Sequence, residues 1–541
     1  MVVNTVKSAR RLLKDSAAAR WTALVLLALM MFFAYMFVDV LSPLKSMLAT
    51  QMGWDSATFG IYGSSEFFLN VFVLFLIIAG IILDKMGIRF TVVLSGAMMV
   101  VGALIKYYAL SDTFASSSLA HWLNSWWVTL PASAKLASLG FMIFGSGCEM
   151  AGITVSKAIV KWFTGKEMAL AMGVEMAIAR LGVALVMVTS PRLAKHFTDM
   201  GVRAPVLLVL ALLCVGFICF IAYTFLDRKL DKQTGETGVE PDEPFRFRDL
   251  GKLVTNRPFL IIALLCVLYY SAIFPFQKYA VNMLQCNLTF EALPEGSFWS
   301  SNTVAIIQYV VMLVVAATAF TSNFSKGIAK YVLLIVSIVS LVVFCLMAYH
   351  RQSAESIFAV FPLLAVGITP ILGKFVDNKG KAATMLMLGS ILLIVCHLTF
   401  AFVLPMFKGN QVGGVVVAFV TILILGSSFS LVPASLWPSV PKLVDSKVIG
   451  SAYALIFWIQ NIGLWLFPML IGKVLKSSNS QIVEQLNAGT IDAETAATSY
   501  NYTNPLIMLA CLGVAAFVLG FVLKVVDKKK NLGLELPNIK E

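Results

Sequence analysis

Two oppositely charged residues, Glu149 and Arg180, lie inside long apolar stretches of the sequence. Glu149 comes 12 residues before Lys161, and Arg180 comes 12 residues after Met168. Because a helix rises about 1.5 Å per residue, we expect both side chains roughly 18 Å inside a membrane, near its midplane. They could bind each other as a buried ion pair that fixes helix packing, or bind the two ends of a zwitterion. Desolvation offsets much of the attraction within a buried pair, so ligand binding is the favoured hypothesis.

A second pair of charges lies on the same two stretches. By the same measure Lys157 and Glu175 are nearer the membrane surface, and we interpret them as a structural or gating pair. Other charged residues in apolar segments are less constrained, because a long side chain can reach an interface. These are Asp39, Glu66, Lys106 and Lys278.

Aromatic and amide side chains at similar depth are candidates for the wall of a binding site. Pro275 interrupts a backbone hydrogen bond and permits a bend next to a cluster of aromatic residues. Each aromatic residue could serve packing instead of recognition, and the amides could hydrogen-bond neighbouring helices. The candidates are Tyr269, Tyr270, Phe274, Trp437, Gln460 and Asn461.

The segments that must position these residues are long apolar helices. The chain has 541 residues, of which 59% are hydrophobic and 13% charged, and its mean hydropathy is +0.87. Soluble domains contain about 45–50% apolar residues, so the composition indicates an integral membrane protein. About fourteen stretches are long enough to cross a bilayer. They are 21–44, 60–83, 90–110, 136–160, 168–190, 205–226, 259–283, 300–320, 331–349, 356–374, 382–405, 412–438, 448–472 and 504–526.

The basic residues indicate the orientation. With an even number of spans both termini share one side, and most of the 41 Lys and Arg residues fall on that side. The positive-inside rule therefore predicts that both termini are cytoplasmic. Basic residues lead directly into a full-length first span, which is unlike a cleavable signal peptide. The net charge of +13 then reflects topology, and nucleic-acid binding is not expected.

Two short loops repeat one pattern of Gly, Asp and base. An Asp at such a loop can accept hydrogen bonds from the N–H groups at a helix start, and so close a gate in one conformation. The alternative is a tight turn without a gating role. The first loop contains Gly80, Asp84, Lys85, Gly87 and Arg89, and the second contains Gly373, Asp377, Gly380 and Lys381.

The repeated loop also predicts two related halves. We expect a six-helix bundle at 1–226, a flexible cytoplasmic linker at 227–257, a second bundle at 258–526 and a cytoplasmic tail at 527–541. The second half contains two spans more than the first. We interpret the excess as a helical hairpin inserted at about 299–350.

With these residues identified, the chain resembles a known family. The two loops are similar to the loop motif of the major facilitator superfamily. Three further runs resemble the lysosomal dipeptide uniporter branch of that superfamily: Trp162, Phe163, Gly165, Lys166 and Glu167 through Arg180 and Gly182; Tyr269, Tyr270, Ala272, Phe274, Pro275 and Phe276; and Ser430, Leu431, Leu436, Trp437 and Pro438 through Gln460, Asn461 and Gly463.

The resemblance implies an all-α membrane fold of two six-helix bundles plus the inserted hairpin. It implies that Glu149 and Arg180 hold the termini of a dipeptide, and that Tyr269, Tyr270 and Trp437 help form the pocket. Lys157, Glu175 and the hairpin depart from the family pattern. A carboxylate that changes protonation could couple transport to protons, so uniport and proton coupling both remain open.

The sequence is compatible with three functions. Alternating-access transport of a small zwitterion, most simply a dipeptide, is favoured. An organic-anion or sugar-phosphate carrier would use Arg180, Lys157 and Lys278 as its attraction, and a non-transporting sensor or scaffold would use the hairpin for docking. Enzymatic activity, metals and cofactors are not expected, because no nucleophile, metal-ligand spacing or phosphate-binding loop occurs in a consistent setting. The short tails suggest a bacterial cytoplasmic membrane more than a lysosome, so the accessory protein of the lysosomal branch is not expected. The chain is expected to be a monomer.

Overall fold

The computed structural model describes residues 12–163, 166–234, 247–291, 293–294, 296–445 and 448–537. Within these ranges the regular secondary structure is helical, and no strand occurs. This confirms the all-α class. The first half contains α1 (Ala17–Asp39), α2 (Lys45–Met52), α3 (Ser56–Ser65), α4 (Phe68–Phe72), α5 (Phe75–Ala109), α6 (Asp112–Ala115), α7 (Ser118–Asn124), α8 (Ala132–Phe163), α9 (Met168–His196) and α10 (Arg203–Thr234).

The second half contains eleven further helices among the described residues. Short 3-10 turns lie at Leu13–Asp15, Ser42–Leu44, Phe298–Ser300 and Leu404–Phe407, and a π-helical turn lies at Thr399–Val403. The helices are α11 (Phe247–Thr255), α12 (Arg257–Asn287), α13 (Asn302–Ser322), α14 (Gly327–His350), α15 (Ala354–Lys379), α16 (Ala382–Leu398), α17 (Gln411–Leu443), α18 (Ile449–Ser478), α19 (Ser480–Asn487), α20 (Ala493–Thr498) and α21 (Thr503–Lys530).

Thirteen helical stretches in the described residues are long and apolar enough to cross a membrane. The predicted span at 60–83 differs, because it is divided among α3, α4 and the first turns of α5. Leu74 lies at the break with φ 55°, a conformation that cannot continue a helix. Helix α5 then continues through the loop before the next predicted span, with a kink at Gly87 where φ is 78°.

Local signals explain several helix starts. The Ser16 hydroxyl accepts a hydrogen bond from the backbone N–H of Ala19 at the start of α1. The Asp55 carboxylate accepts one from Thr58 N–H at 2.7 Å at the start of α3. Such caps satisfy backbone donors that a helix leaves free at its first turn.

The predicted linker at 227–257 is more helical than expected. Helix α10 continues to Thr234, and α11 occupies most of the segment before α12, while 235–246 lie outside the described residues. The extension of α10 has an electrostatic cause. The Lys161 ammonium lies 2.8 Å from the Asp227 carboxylate and 2.6 Å from that of Asp231. These pairs hold two further turns of α10 against α8.

The predicted hairpin consists of α13 and α14. Helix α13 packs on α14, α15 and α9. The outer face of α14 exposes apolar side chains, including Ile328 at 82%, Ile335 at 60% and Ile338 at 60%. A helix that is apolar on its exposed face suits contact with lipid.

The ends of the bundle are named here by the chain termini. Helix α1 begins and α21 ends at one end, which we call the terminal end, and α9 and α14 end at the opposite end, the far end. The two chain halves contact each other through two main helix pairs, α3 with α18 and α9 with α15. These pairs flank the space in which the candidate site lies.

Candidate functional site

A cavity of about 270 Å³ lies between the two chain halves. It is close to the lower limit of the roughly 300–1,000 Å³ typical of small-molecule sites, so it suits a small solute. Helices α1, α8, α9, α12, α17 and α18 all contribute to its wall. Its polar and aromatic lining includes Tyr35, Asp39, Glu66, Glu149, Arg180, Tyr270, Phe274, Gln277, Lys278, Trp437, Phe457 and Gln460.

Glu149 of α8 and Arg180 of α9 line this same cavity. Among the described residues, no ion pair joins them, and no side-chain hydrogen bond involves either group. The alternative in which the two residues form a buried ion pair is therefore not what the structure shows. Two partly buried opposite charges instead face a shared space.

The Arg180 guanidinium is surrounded by aromatic rings. Its Cζ atom lies 5.0 Å from the ring centroid of Phe429, 5.2 Å from that of Phe274 and 5.7 Å from that of Tyr35. A cation over an aromatic face is attracted by the ring quadrupole. The rings thus hold the guanidinium in place without neutralising its charge, which remains available to an anionic group.

Aromatic residues of the second half form one wall of the cavity. Tyr270 stacks on Phe274 with centroids 5.4 Å apart, and Trp437 packs on Phe457 at 5.0 Å. The Trp437 indole N–H donates to the Tyr270 hydroxyl at 3.2 Å. Gln460 also lines the cavity, and its side-chain oxygen accepts a hydrogen bond from the Cys266 thiol at 3.3 Å.

Two of the sequence candidates lie away from the cavity wall. The Tyr269 side chain is buried against α16, where its hydroxyl contacts the Leu386 carbonyl and lies 2.6 Å from the Ser390 hydroxyl. Tyr269 therefore packs α12 on α16 and is not part of the pocket, contrary to the prediction. Asn461 is 1% exposed and does not line the cavity either. Successive residues of a helix point about 100° apart. Tyr269 and Asn461 therefore face away from the cavity, although their neighbours Tyr270 and Gln460 line it.

Sequence reasoning did not predict that Asp39, Glu66 and Lys278 have buried polar partners on the cavity wall. The Lys278 ammonium lies 2.9 Å from the Glu66 carboxylate, and each side chain is only 8% exposed. The Gln277 amide donates to the Asp39 carboxylate at 2.6 Å. The expectation that Asp39, Glu66 and Lys278 reach a membrane interface is therefore wrong, because their polar partners lie inside the bundle. The sequence contains a signal for this placement. Asp39 follows Tyr35 by four residues, and Lys278 follows Phe274 by four, so the members of each pair lie on one face of their helix.

Lys106 is also fully buried instead of reaching an interface. Its ammonium lies 4.2 Å from the ring centroid of Phe37 and 4.3 Å from that of Phe141. It is also 3.5 Å from the Phe37 carbonyl oxygen. The rings and one carbonyl therefore replace the water that Lys106 would find at a membrane surface.

The first loop signature forms ion pairs at the terminal end. The Asp84 carboxylate lies 3.0 Å from the Lys157 ammonium, and Arg89 lies 2.9 Å from Asp231. Asp84 thus uses a lysine of α8, whereas the sequence predicted backbone N–H donors. Lys157 pairs with Asp84 and not with Glu175, which is partly buried on α9. Lys85 is exposed.

The second loop signature contacts the segment after α21. Gly380 has φ 73°, and an added Cβ would lie 2.5 Å from the Glu535 carbonyl oxygen. The Lys381 backbone N–H donates to that same oxygen at 3.1 Å. The Asp377 side chain lies near the end of α15. Only glycine allows this close approach of the tail, so the second loop is built differently from the first.

Bonds between the chain halves are concentrated at the far end. The Lys45 ammonium donates to Asn282 at 3.0 Å, and the Lys476 ammonium donates to Asp55 at 2.6 Å. At the terminal end, the ion pairs of the described residues, such as Arg89 with Asp231, stay within one half. The conformation is therefore one in which polar contacts close the far end.

The comparisons with known proteins agree with this architecture. The chain is 24% identical over 483 residues to the lysosomal dipeptide transporter MFSD1 of Mus musculus, covering 86% of this chain and 82% of the mouse protein. It is 25% identical over 468 residues to the Danio rerio protein of the same name, covering 84% of this chain and 80% of that protein. These similarities confirm the resemblance predicted from the sequence.

A solved structure shows the same fold at lower identity. The nucleoside transporter NupG aligns with a TM-score of 0.59 and 13% identity, covering 93% of this chain and 99% of that chain. At this identity the likeness concerns the fold alone. A family model described as the Major Facilitator Superfamily matches residues 27–354, more than half of the sequence, and the chain therefore belongs to the major facilitator superfamily.

Proposed function

We propose that this transporter carries dipeptides across a membrane by alternating access. In this proposal the Glu149 carboxylate binds the dipeptide ammonium group and the Arg180 guanidinium binds its carboxylate. The observation that carries the proposal is that these two opposite charges face one cavity between the chain halves without pairing with each other. The names of the relatives from mouse and zebrafish agree with this substrate class.

The surroundings of Arg180 support binding of a carboxylate. A guanidinium can donate two parallel hydrogen bonds to a carboxylate, and such charge-assisted bonds are about twice as strong as neutral ones. The rings of Phe274, Phe429 and Tyr35 surround the group with apolar surface. Attraction between charges is stronger in such a low-dielectric setting.

The remaining wall supports recognition of the backbone more than of particular side chains. Tyr270, Phe274 and Trp437 present broad apolar surfaces that can contact many side chains. The Gln460 amide nitrogen is available to donate to a peptide carbonyl, since the bond from Cys266 uses the side-chain oxygen. We therefore propose low selectivity among small dipeptides.

The charge balance of the wall disfavours an organic-anion or sugar-phosphate carrier. The cavity is lined by three carboxylates, Asp39, Glu66 and Glu149, and two cations, Arg180 and Lys278. Lys278 is already paired with Glu66. A doubly charged anion would meet Arg180 next to an unpaired carboxylate, whereas a zwitterion satisfies both charges.

The polar contacts at the far end support the transport mechanism. In this conformation they close the far end, and in the alternate state they would separate so that the two halves rock about the cavity. We propose that the termini are cytoplasmic, from the distribution of Lys and Arg, and that the chain functions as a monomer in a bacterial cytoplasmic membrane. Transport with and without a pH gradient would separate uniport from proton coupling.

The test is uptake of a labelled dipeptide by purified protein in proteoliposomes. We expect Glu149→Gln and Arg180→Ala each to abolish uptake. The control variants Glu494→Gln and Arg203→Ala remove the same charges from sites off the cavity wall and should transport normally. Undiminished uptake by both cavity variants would overturn the proposal.

Blocked dipeptides assign each terminus to its partner. Binding is measured as the increase in melting temperature, because a ligand that binds the folded state stabilises it. An N-acetylated dipeptide lacks the ammonium group, so Glu149→Gln should weaken binding of the free dipeptide but barely change that of the acetylated one. The amidated dipeptide should behave in the same way toward Arg180→Ala. Equal losses for free and blocked dipeptides would contradict these assignments.

A further inference from the structure

Two arginines lie together where the inserted hairpin meets the first half of the chain. Arg192 is near the end of α9, and Arg351 directly follows α14. The Arg192 Cζ atom is 5.5 Å from the ring centroid of Tyr309 on α13. The Tyr309 hydroxyl in turn lies 3.2 Å from the Thr189 hydroxyl on α9. The hairpin therefore contacts α9 through Tyr309, with a guanidinium on its ring.

Both arginines have unused donors. The Nη1 atoms of Arg192 and Arg351 are buried and have no hydrogen-bond partner among the described residues. The described residues also form no ion pair with either guanidinium. Glu355 follows Arg351 by four residues, and its carboxylate accepts a hydrogen bond from the Ser353 hydroxyl at 2.9 Å and forms no ion pair with either arginine among the described residues. Buried donors on a charged group without partners are unfavourable, and such sites call for an acceptor.

The two charges also influence each other. Burial and the neighbouring Arg192 lower the pKa of Arg351 to about 10, while Tyr309 acts in the opposite direction. Arg351 therefore remains cationic at neutral pH. Two like charges held together without an acidic partner among the described residues form a site of positive potential that an anion would stabilise.

The location indicates the source of that anion. Arg192 lies one turn before the end of α9, and Arg351 lies one residue past the end of α14. Trp299 stacks on His350 beside this site, with centroids 4.5 Å apart. Tryptophan concentrates where a bilayer meets water. The arginines are thus at the depth of lipid headgroups, whose phosphates lie just outside the hydrocarbon core.

We propose that Arg192 and Arg351 bind the phosphate group of an anionic lipid at the seam between α9 and the inserted hairpin. The planar guanidinium presents paired donors that match phosphate oxygens. In this proposal the phosphate accepts hydrogen bonds from both guanidinium groups, and the acyl chains lie along the exposed apolar face of the hairpin. The lipid then joins the hairpin to the first half, beside the Thr189–Tyr309 contact.

The site is distinct from the central cavity, since none of its residues lines it. The proposal therefore stands or fails independently of the substrate. Inorganic phosphate offers the same chemistry as the lipid headgroup, so an experiment must separate the two sources.

The test compares melting temperatures of the purified chain in nanodiscs of phosphatidylcholine alone and with added phosphatidylglycerol. We expect phosphatidylglycerol to raise the melting temperature of the wild type, because the lipid binds the folded state. Arg192→Gln and Arg351→Gln should each lose more than about half of this increase. Each variant is compared with itself in phosphatidylcholine, so a general loss of stability does not affect the result.

The control variant is Lys195→Gln, which removes one exposed charge from the same end of α9. It should retain the full increase, because general attraction to an anionic surface does not need the two arginines. Retention of the increase by both arginine variants would overturn the proposal. Inorganic phosphate added to phosphatidylcholine nanodiscs forms the third arm, and stabilisation by phosphate but not by phosphatidylglycerol would overturn the lipid as its source. No stabilisation by either would overturn the site.

Discussion

The Glu66 carboxylate and the Lys278 ammonium meet 2.9 Å apart across the two halves of the chain, on the wall of the central cavity. Glu66 lies in the turn after α3, and Lys278 lies on α12, 212 residues later in the sequence. Lys278 also lies 5.1 Å from the ring centroid of Phe141. The pair therefore joins the two halves of the chain at the wall of the cavity.

Removal of one partner from this buried pair should be more harmful than removal of both. Lys278→Met leaves the Glu66 carboxylate buried and uncompensated, which typically costs about 3–5 kcal/mol. In the double variant Glu66→Gln with Lys278→Met no charge remains, so we expect a higher melting temperature than for Lys278→Met alone. The measurement is thermal unfolding of purified protein in detergent.

Among the described residues, a second ion pair between the halves provides a matched control. Lys476→Met removes the partner of Asp55, and both side chains are partly exposed at 46% and 36%. Exposed pairs contribute about 1 kcal/mol or less, so this variant should lose little stability. If Lys278→Met is no more harmful than Lys476→Met, the buried pair does not have the importance assigned to it.

Neighbouring tyrosines should respond differently to loss of the hydroxyl group. Tyr270→Phe removes the acceptor of the Trp437 N–H in the cavity, so we expect weaker dipeptide binding with a melting temperature near that of the wild type. Tyr269→Phe removes a buried bond between α12 and α16, which costs about 1 kcal/mol of stability, and should transport normally. The check is the transport KM together with the melting temperature, and a larger rise in KM for Tyr269→Phe would reverse the assignment.

The two tyrosines illustrate how far sequence reasoning extends. Apolar length identified the membrane helices, and counting residues from the helix ends placed Glu149 and Arg180 at one depth. Neither method determines which way a helix is rotated in a bundle, so Tyr269 was not separated from Tyr270. Pairs such as Asp84 with Lys157 and Glu66 with Lys278 join distant segments. Their formation depends on how helices pack, which a single sequence does not reveal.

Low pH should act on Asp55 only under strongly acidic conditions. Burial would raise the pKa of this carboxyl, but hydrogen bonds from Lys476 and Thr58 outweigh burial and lower it. Its contribution to stability is therefore complete above the unfolded pKa of about 3.9 and is lost as pH falls through the lower folded value. We expect Asp55→Asn to leave the shape of the transport profile between about pH 5 and pH 8 unchanged.

The matched control for Asp55 is Asp492→Asn. Asp492 caps α20 by accepting from Thr495 N–H at 2.7 Å, and its pKa is also lowered by Thr495. Both variants retain an acceptor for the cap, but only Asp55→Asn weakens a bond between the halves. A shift of the pH profile with Asp55→Asn and not with Asp492→Asn would show that this pair titrates during transport.

Two glycines of α8 should differ sharply in their tolerance of a methyl group. A Cβ at Gly140 would lie 2.6 Å from the Gly102 carbonyl oxygen and 2.7 Å from the Lys106 backbone nitrogen, and both are backbone atoms of α5. Gly140→Ala must therefore separate α5 from α8, and overpacking of this kind costs about 1–3 kcal/mol. At Gly152 nothing lies within 4 Å of the added atom. Gly152→Ala should therefore raise stability slightly, by up to about 1 kcal/mol, through helix propensity. Thermal unfolding of the two variants checks this, and equal melting temperatures would contradict the close packing of α5 on α8.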